Sequence, residues 1–179
     1  MPAFSKGNCL RLFTLTGAFV FLLFFSQVCF AKAANLKFSI LLDKSEYKGQ
    51  EPINVTFKLE NKGKEAVWVN KRFHLNSENV ANVHRGEVVL NVTSPSGKEV
   101  PCKFSYETGF PKSDYFELLE PAKVVVSEYP RNLRGYFDFN EPGVYKVVGV
   151  YQNIFGKEIG LDVFGEKLTS EPVYLKVIK

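Results

Sequence analysis

Histidine, cysteine and the short motifs of enzyme chemistry are scarce in this 179-residue chain, and each scarcity excludes something. There are two histidines, His74 and His84, in a stretch read as a loop. A zinc peptidase site of the H-E-x-x-H kind needs two histidines one helical turn apart with a glutamate as general base. Neither neighbourhood provides that spacing. No third ligand stands near the pair, so no metal site is expected and both side chains are read as solvated. No G-x-S-x-G elbow marks a serine hydrolase. The glycines are scattered through turns instead of gathering in a phosphate-binding loop. The expectation is a protein that is not an enzyme and uses no cofactor.

Of three cysteines, Cys9 and Cys29 fall in the first 33 residues, which leaves Cys102 and no intramolecular disulfide for the remainder. In Val100-Pro101-Cys102-Lys103-Phe104 the alternation sets Cys102 on the face of Val100 and Phe104. That position suits a small buried hydrophobe better than a reactive thiol. An excess of one charge is missing as well. The chain has 23 basic and 19 acidic side chains, but Lys6, Arg11 and Lys32 lie in the first 33 residues and no acid does. The rest therefore sets 20 bases against 19 acids, close to neutrality. Nothing in this balance points to a nucleic-acid partner, which would need Lys and Arg clustered on one face.

What is present begins with a leader. Lys6 and Arg11 give a basic start, a Phe- and Leu-rich apolar run follows over residues 12–30, and Ala31-Lys32-Ala33 offers small residues where a signal peptidase reads. In that order these are the parts of a secretory signal peptide. Residues 1–33 are thus read as the signal and residues 34–179 as one exported domain, periplasmic or extracellular. A membrane association is expected only if the apolar run is retained as an anchor, since its length is close to the ~20 residues that span a bilayer.

Beyond the leader the hydrophobic period is 2 almost throughout. Phe38, Ile40 and Leu42 alternate with Lys37, Ser39 and Leu41, and Ile53, Val55, Phe57 and Leu59 alternate with Asn54, Thr56, Lys58 and Glu60. Both predict half-buried strands. The turn chemistry of Asn61-Lys62-Gly63-Lys64 predicts a hairpin from the second of these into Ala66-Val67-Trp68-Val69. Further strands are predicted over residues 88–93, 100–106, 115–119, 124–127, 136–139, 144–152 and 173–178, with turns at Ser94-Pro95-Ser96-Gly97 and Asn140-Glu141-Pro142-Gly143. Residues 70–86 and 107–113 are the longest irregular stretches and are read as exposed loops. No segment shows sustained helical spacing. With residues 115–119 and 124–127 as the shorter candidates, this makes about eight or nine strands between turns, which mean an all-β domain, an antiparallel β-sandwich whose two sheets cover each other's apolar faces.

Four segments taken together carry a likeness. They are LLDKSEYKGQEPINVTFKLENKGKEAVWV, VLNVTSPSGKEV, DYFELLEPAKVVV and YFDFNEPGVYKVVGVY. In this order they resemble secreted bacterial immunoglobulin-like domains, in particular the non-catalytic domain that accompanies some deuterolysin-type metallopeptidases. More loosely they resemble a bacterial proteinase-inhibitor family. The likeness spans most of residues 36–152 and implies an immunoglobulin-like sandwich. Its motifs are structural, so it brings no functional residues with it, and fold does not settle function. One turn departs from the pattern: Leu119-Glu120-Pro121-Ala122-Lys123 has Ala and Lys where Gly and Glu are usual.

Two surface features remain. Asp138-Phe139-Asn140-Glu141 offers oxygen atoms of the type that Ca²⁺ prefers, but an Asx-type turn into Pro142-Gly143 accounts for them better. Tyr106, Phe110, Pro111, Tyr115 and Phe116 bracket a loop at the sandwich rim, and aromatic residues on a loop held by a rigid scaffold form a binding patch. The expected role is therefore a non-catalytic interaction domain that contacts another protein through loops or by strand addition. A secreted proteinase inhibitor presenting Phe110-Pro111, and an accessory domain for a separately encoded enzyme, are the alternatives. Mass spectrometry of the exported protein tests the leader: a mass corresponding to residues 34–179 is expected, and one that includes residues 1–33 rejects cleavage.

Overall fold

The computed structural model describes residues 35–76, 87–103 and 112–179. Twelve strands follow one another in these segments: β1 (Leu36–Leu42), β2 (Glu46–Lys48), β3 (Asn54–Asn61), β4 (Val67–Asn70), β5 (Val88–Thr93), β6 (Glu99–Val100), β7 (Phe116–Leu119), β8 (Val124–Val126), β9 (Arg131–Asn132), β10 (Gly143–Tyr151), β11 (Leu168–Thr169) and β12 (Val173–Ile178). The only helical pieces among the described residues are single 3₁₀ turns at Ser113–Tyr115, Leu133–Gly135 and Lys157–Ile159. The described part of the chain is all-β.

Alternation decides which face each strand buries. In β3 Val55, Phe57, Leu59 and Asn61 are buried and the residues between them half-buried, and in β10 Tyr145, Val147, Gly149 and Tyr151 point inward. One sheet has β3 at its centre. β1 pairs with it antiparallel from Leu36 opposite Asn61 to Leu42 opposite Val55. The other edge of β3 takes β8, with Leu59 opposite Val125, and β9, with Val55 opposite Arg131. A larger sheet has the order β2-β12-β10-β5-β6, with β11 beside the end of β10. Every pairing in it is antiparallel except that of β2 with β12. β4 and β7 form a separate two-stranded ribbon, Trp68 opposite Leu118.

The two main sheets share one core. Phe38 of β1, Phe57 of β3, Phe73 and Tyr151 of β10 close a ring of aromatic contacts, with centroids 5.8 to 6.2 Å apart and tilted planes. Such pairs add to the burial of their large areas. Gly149 lets the sheets approach here, since a Cβ on it would stand 2.8 Å from Ile40 Cδ1 and 2.9 Å from Phe38 Cε1. Close packing of this kind leaves no room for a methyl group.

Three sequence expectations are corrected. β3 forms no hairpin with β4, because both edges of β3 are already taken, by β1 on one side and by β8 and β9 on the other. The chain leaves β3 through Asn61, whose amide donates to the carbonyls of Glu65 and Leu119 while its Oδ1 accepts from Gly63 N–H. β4 then finds β7 instead. Residues 136–139 are not a strand: they follow the Leu133–Gly135 turn, and Phe137 and Phe139 are buried without ladder partners, edge-on to each other, with Phe139 also edge-on to Tyr145. The stretch from 70 onward is not an exposed loop as far as it is described, since Asn70, Phe73, Leu75 and Asn76 are all buried. Cys102 is half-buried and packs against the core. Of the strand predicted over 100–106, only Val100 is paired, and residues 104–106 lie outside the described residues.

The departure at Ala122 has a backbone counterpart. Lys123 N–H donates to Glu120 O across Pro121-Ala122, and Ala122 sits at φ +60°, the left-handed region where a Cβ is unfavourable. A turn with Pro second and a positive φ third favours Gly at that place. Ala122→Gly is expected to raise stability by about 0.5–1 kcal/mol, the relief of the left-handed Ala less the entropy of the added Gly. Urea denaturation checks this: the midpoint should rise with an unchanged slope.

Candidate functional site

The site begins where β4 ends. From Asn70 the chain runs back toward β5, with Val88 N–H donating to His74 O at 2.9 Å and Asn76 N–H to Val88 O at 3.0 Å. Between them Phe73 takes φ +48°, a strained conformation for a bulky residue, with its ring fully buried in the aromatic cluster. One residue turned inward at a left-handed kink throws its neighbours Arg72 and His74 to the other side. Both line a groove there.

Beneath them lies a buried carboxylate. Glu87, directly before β5, is 2% exposed and no apolar neighbour could solvate its charge. Its oxygens accept from Arg72 Nε at 3.1 and 3.2 Å, from Asn70 Nδ2 at 3.0 Å and from His74 N–H at 2.9 Å, and Arg72 Nη2 completes a two-pronged ion pair. Asn70 also donates to Asn153 Oδ1 at 3.1 Å, and its Oδ1 accepts from Arg72 N–H. The Tyr151 hydroxyl accepts from Asn70 N–H at 3.1 Å and donates to Asn70 O at 2.9 Å. Gln152 N–H donates to Glu87 O. The end of β4, the start of β5 and the end of β10 are thus tied through one charged centre. The centre of the Tyr115 ring lies 5.3 Å from the Arg72 guanidinium carbon, within the range of a cation–π contact.

The groove above has a volume of about 740 Å³. Its walls come from the start of β7 and from β8 with the turn that follows it. Lys71 and Glu117 pair at 3.2 Å on one rim, both partly exposed. Val126 and Tyr129 stand on the other, 45% and 61% exposed. At the floor are Arg72, His74 and Arg131. Arg131 Nε is buried and has no hydrogen-bond acceptor among the described residues. Burial first, then Arg72 and Arg131, push the His74 imidazole below its ordinary pKa against the pull of Glu87. His74 is therefore half-buried and neutral near pH 7, not a solvated loop side chain. The floor presents positive charge and donors with a single carboxylate beneath it, already bound.

The predicted patch is distributed differently. Tyr106, Phe110 and Pro111 lie outside the described residues, as does His84. Tyr115 lines the groove, half-buried over Arg72. Phe116 is 5% exposed and turns inward, so it offers no surface to a partner. Arg72, Tyr129 and Arg131 were not singled out by sequence reasoning; the segments Lys71-Arg72-Phe73-His74 and Glu128-Tyr129-Pro130-Arg131, where basic and aromatic residues alternate, were the available signal. Elsewhere Asp138 is held by Lys103 Nζ at 2.8 Å, and Glu141 Oε1 accepts from the Ser96 hydroxyl. Among the described residues no three His, Cys, Asp or Glu side chains gather as a metal site. No family model matches the chain, and no curated protein matches it.

Breaking the buried centre separates its worth from that of the rim. Glu87→Ala strands the Arg72 charge and is expected to cost about 3–5 kcal/mol. Lys71→Ala removes an exposed pair and should cost under about 1 kcal/mol. Urea unfolding of the two variants measures both, and comparable small losses would mean that the centre does not hold the site together.

Proposed function

We propose that this chain is an exported, non-catalytic binding domain with an immunoglobulin-like sandwich fold, and that it meets another protein at the groove beside β8. The observation that carries the reading is the groove itself. It is an open, mixed polar and apolar concavity beside a sheet, with an exposed tyrosine at its rim and one unmatched donor, Arg131 Nε, at its floor. Sites of this composition recognise through a few placed polar groups within an apolar surround. The acid that could do chemistry, Glu87, is fully engaged below the floor instead of facing the groove. The sandwich reading is supported by the single core shared by two sheets and by the close approach at Gly149. Export is supported by the order of basic, apolar and small residues in the leader. Phe110-Pro111, on which an inhibitor reading rests, lies outside the described residues.

Site-specific crosslinking in the native host tests the proposal. A photoreactive amino acid at Tyr129 is expected to capture a discrete protein product. The same group at Tyr174, 56% exposed on β12 of the larger sheet, is expected to capture none. Equal capture at both positions, or none at Tyr129, would reject the groove as the contact.

A further inference from the structure

The edges of the two main sheets are not equally protected. β2, at one end of the larger sheet, is three residues long with exposed Glu46 and Lys48. β6, at the other end, has two residues and stops at Pro101. Short length, charge and proline are the usual means of preventing a strand from pairing with a foreign chain. β8 lacks them. It consists of Val124, Val125 and Val126; the middle residue is buried in the core, and the outer two are 43% and 45% exposed. The β8 edge has no strand partner beyond β3 among the described residues.

Its ladder fixes which main-chain groups are open. Lys123 O accepts from Asn61 N–H at 3.0 Å, and Ser127 N–H donates to Phe57 O at 2.8 Å. Residues 123, 125 and 127 therefore face β3, and by the alternation of an antiparallel ladder Val124 and Val126 turn their N–H and C=O groups outward. That outward row lies along the groove, which Val125 and Val126 help to line. At its far end is Arg131, whose Nε lacks an acceptor. Of the acids that line the groove, Glu117 pairs with Lys71 and Glu128 stands beside Tyr129. Asp114 lines the groove on the opposite wall, at the start of β7.

Resting on the groove reading above, we infer that the partner enters as an extended peptide, added as a strand to β8, with one of its aspartate or glutamate side chains meeting Arg131. Main-chain bonds to Val124 and Val126 supply sequence-independent affinity, and the side chain at the Arg131 position supplies selection, the division of labour common to strand addition. An arginine suits a carboxylate because its planar fork matches two oxygens. The apolar faces of Val124 and Val126 favour β-branched residues on the incoming strand.

The test presents the exported protein with random phage-displayed peptides of about seven residues, a common strand length. Enriched sequences are remade synthetically and titrated by fluorescence anisotropy. Enrichment of β-branched peptides with one acid at a fixed place is expected. Each should bind at least about tenfold more tightly than its amide counterpart, as a charge-assisted bond requires. Arg131→Gln should remove that preference. Val126→Pro deletes one outward N–H while leaving the β3 bonds of its neighbours, and should weaken every enriched peptide by about tenfold or more. If Val126→Pro lowers the melting temperature, peptides N-methylated at alternate positions ask the same question from the other side: one set of alternate nitrogens must abolish binding and the other spare it. Failure to enrich any peptide overturns the inference. So does selection of basic or acid-free sequences, or an acid preference that survives in Arg131→Gln. A partner captured at Tyr129 together with failed peptide selection removes strand addition alone; failure of both removes the groove reading.

Discussion

The buried carboxylate of Glu87 is the constraint on which the rest of this structure depends. Removing an ion from water costs several kcal/mol, and attraction to one partner repays this only when the remaining lone pairs are also satisfied. Here the requirement is met by donors from three alternate residues of one segment: the guanidinium of Arg72, the amide of Asn70 and the main chain of His74. None of these donors can move without stranding a charge. The centre therefore fixes where the chain after β4 must run, and it does so from below the surface that a partner would touch.

That routing has a backbone cost which the core absorbs. Phe73 at φ +48° sits in a region that bulky residues avoid, at a cost of order 1–3 kcal/mol. Full burial of its ring against Phe57 and Tyr151 offsets this. Tyr151 belongs to both systems: its ring closes the aromatic cluster and its hydroxyl holds both main-chain groups of Asn70. Apolar packing and the charged centre thus support each other at one kink. Because Phe73 turns in, Arg72 and His74 are displayed side by side at the groove floor.

The strands were legible wherever one face is buried, because alternation of the β3 and β10 kind records the core directly. Pairing was not. A turn signal such as Asn61-Lys62-Gly63-Lys64 states that the chain reverses, but not whether the preceding strand still has an open edge. β3 had none, since β8, more than sixty residues on, had claimed it. Residues 70–76 were read as exposed because polar and basic side chains interrupt their periodicity. Burial of a polar segment depends on a partner distant in sequence, here Glu87, and a window of neighbours cannot see it. The turn at Ala122 is the opposite case. Its unusual residue was visible as a departure from a pattern, and the positive φ supplies the physical reason that the pattern has Gly there.

The groove was illegible because its lining comes from segments far apart in the chain. Its floor joins Arg72 after β4 with Arg131 on β9, two residues brought together by a buried ion on one side and by β3 on the other. Arg131 Nε is desolvated before any ligand arrives. An unmet buried donor costs in general about 1–3 kcal/mol, more where charge is involved. On the strand-addition proposal, a carboxylate meeting the Arg131 guanidinium would be favoured over an amide or a methyl group, because a charge-assisted bond is the stronger one. Rigid placement by β9 means that little further ordering is needed on the domain's side. On the strand-addition proposal, the groove's selectivity would come from the same long-range placement of Arg131 that hides the site from a local reading of the sequence.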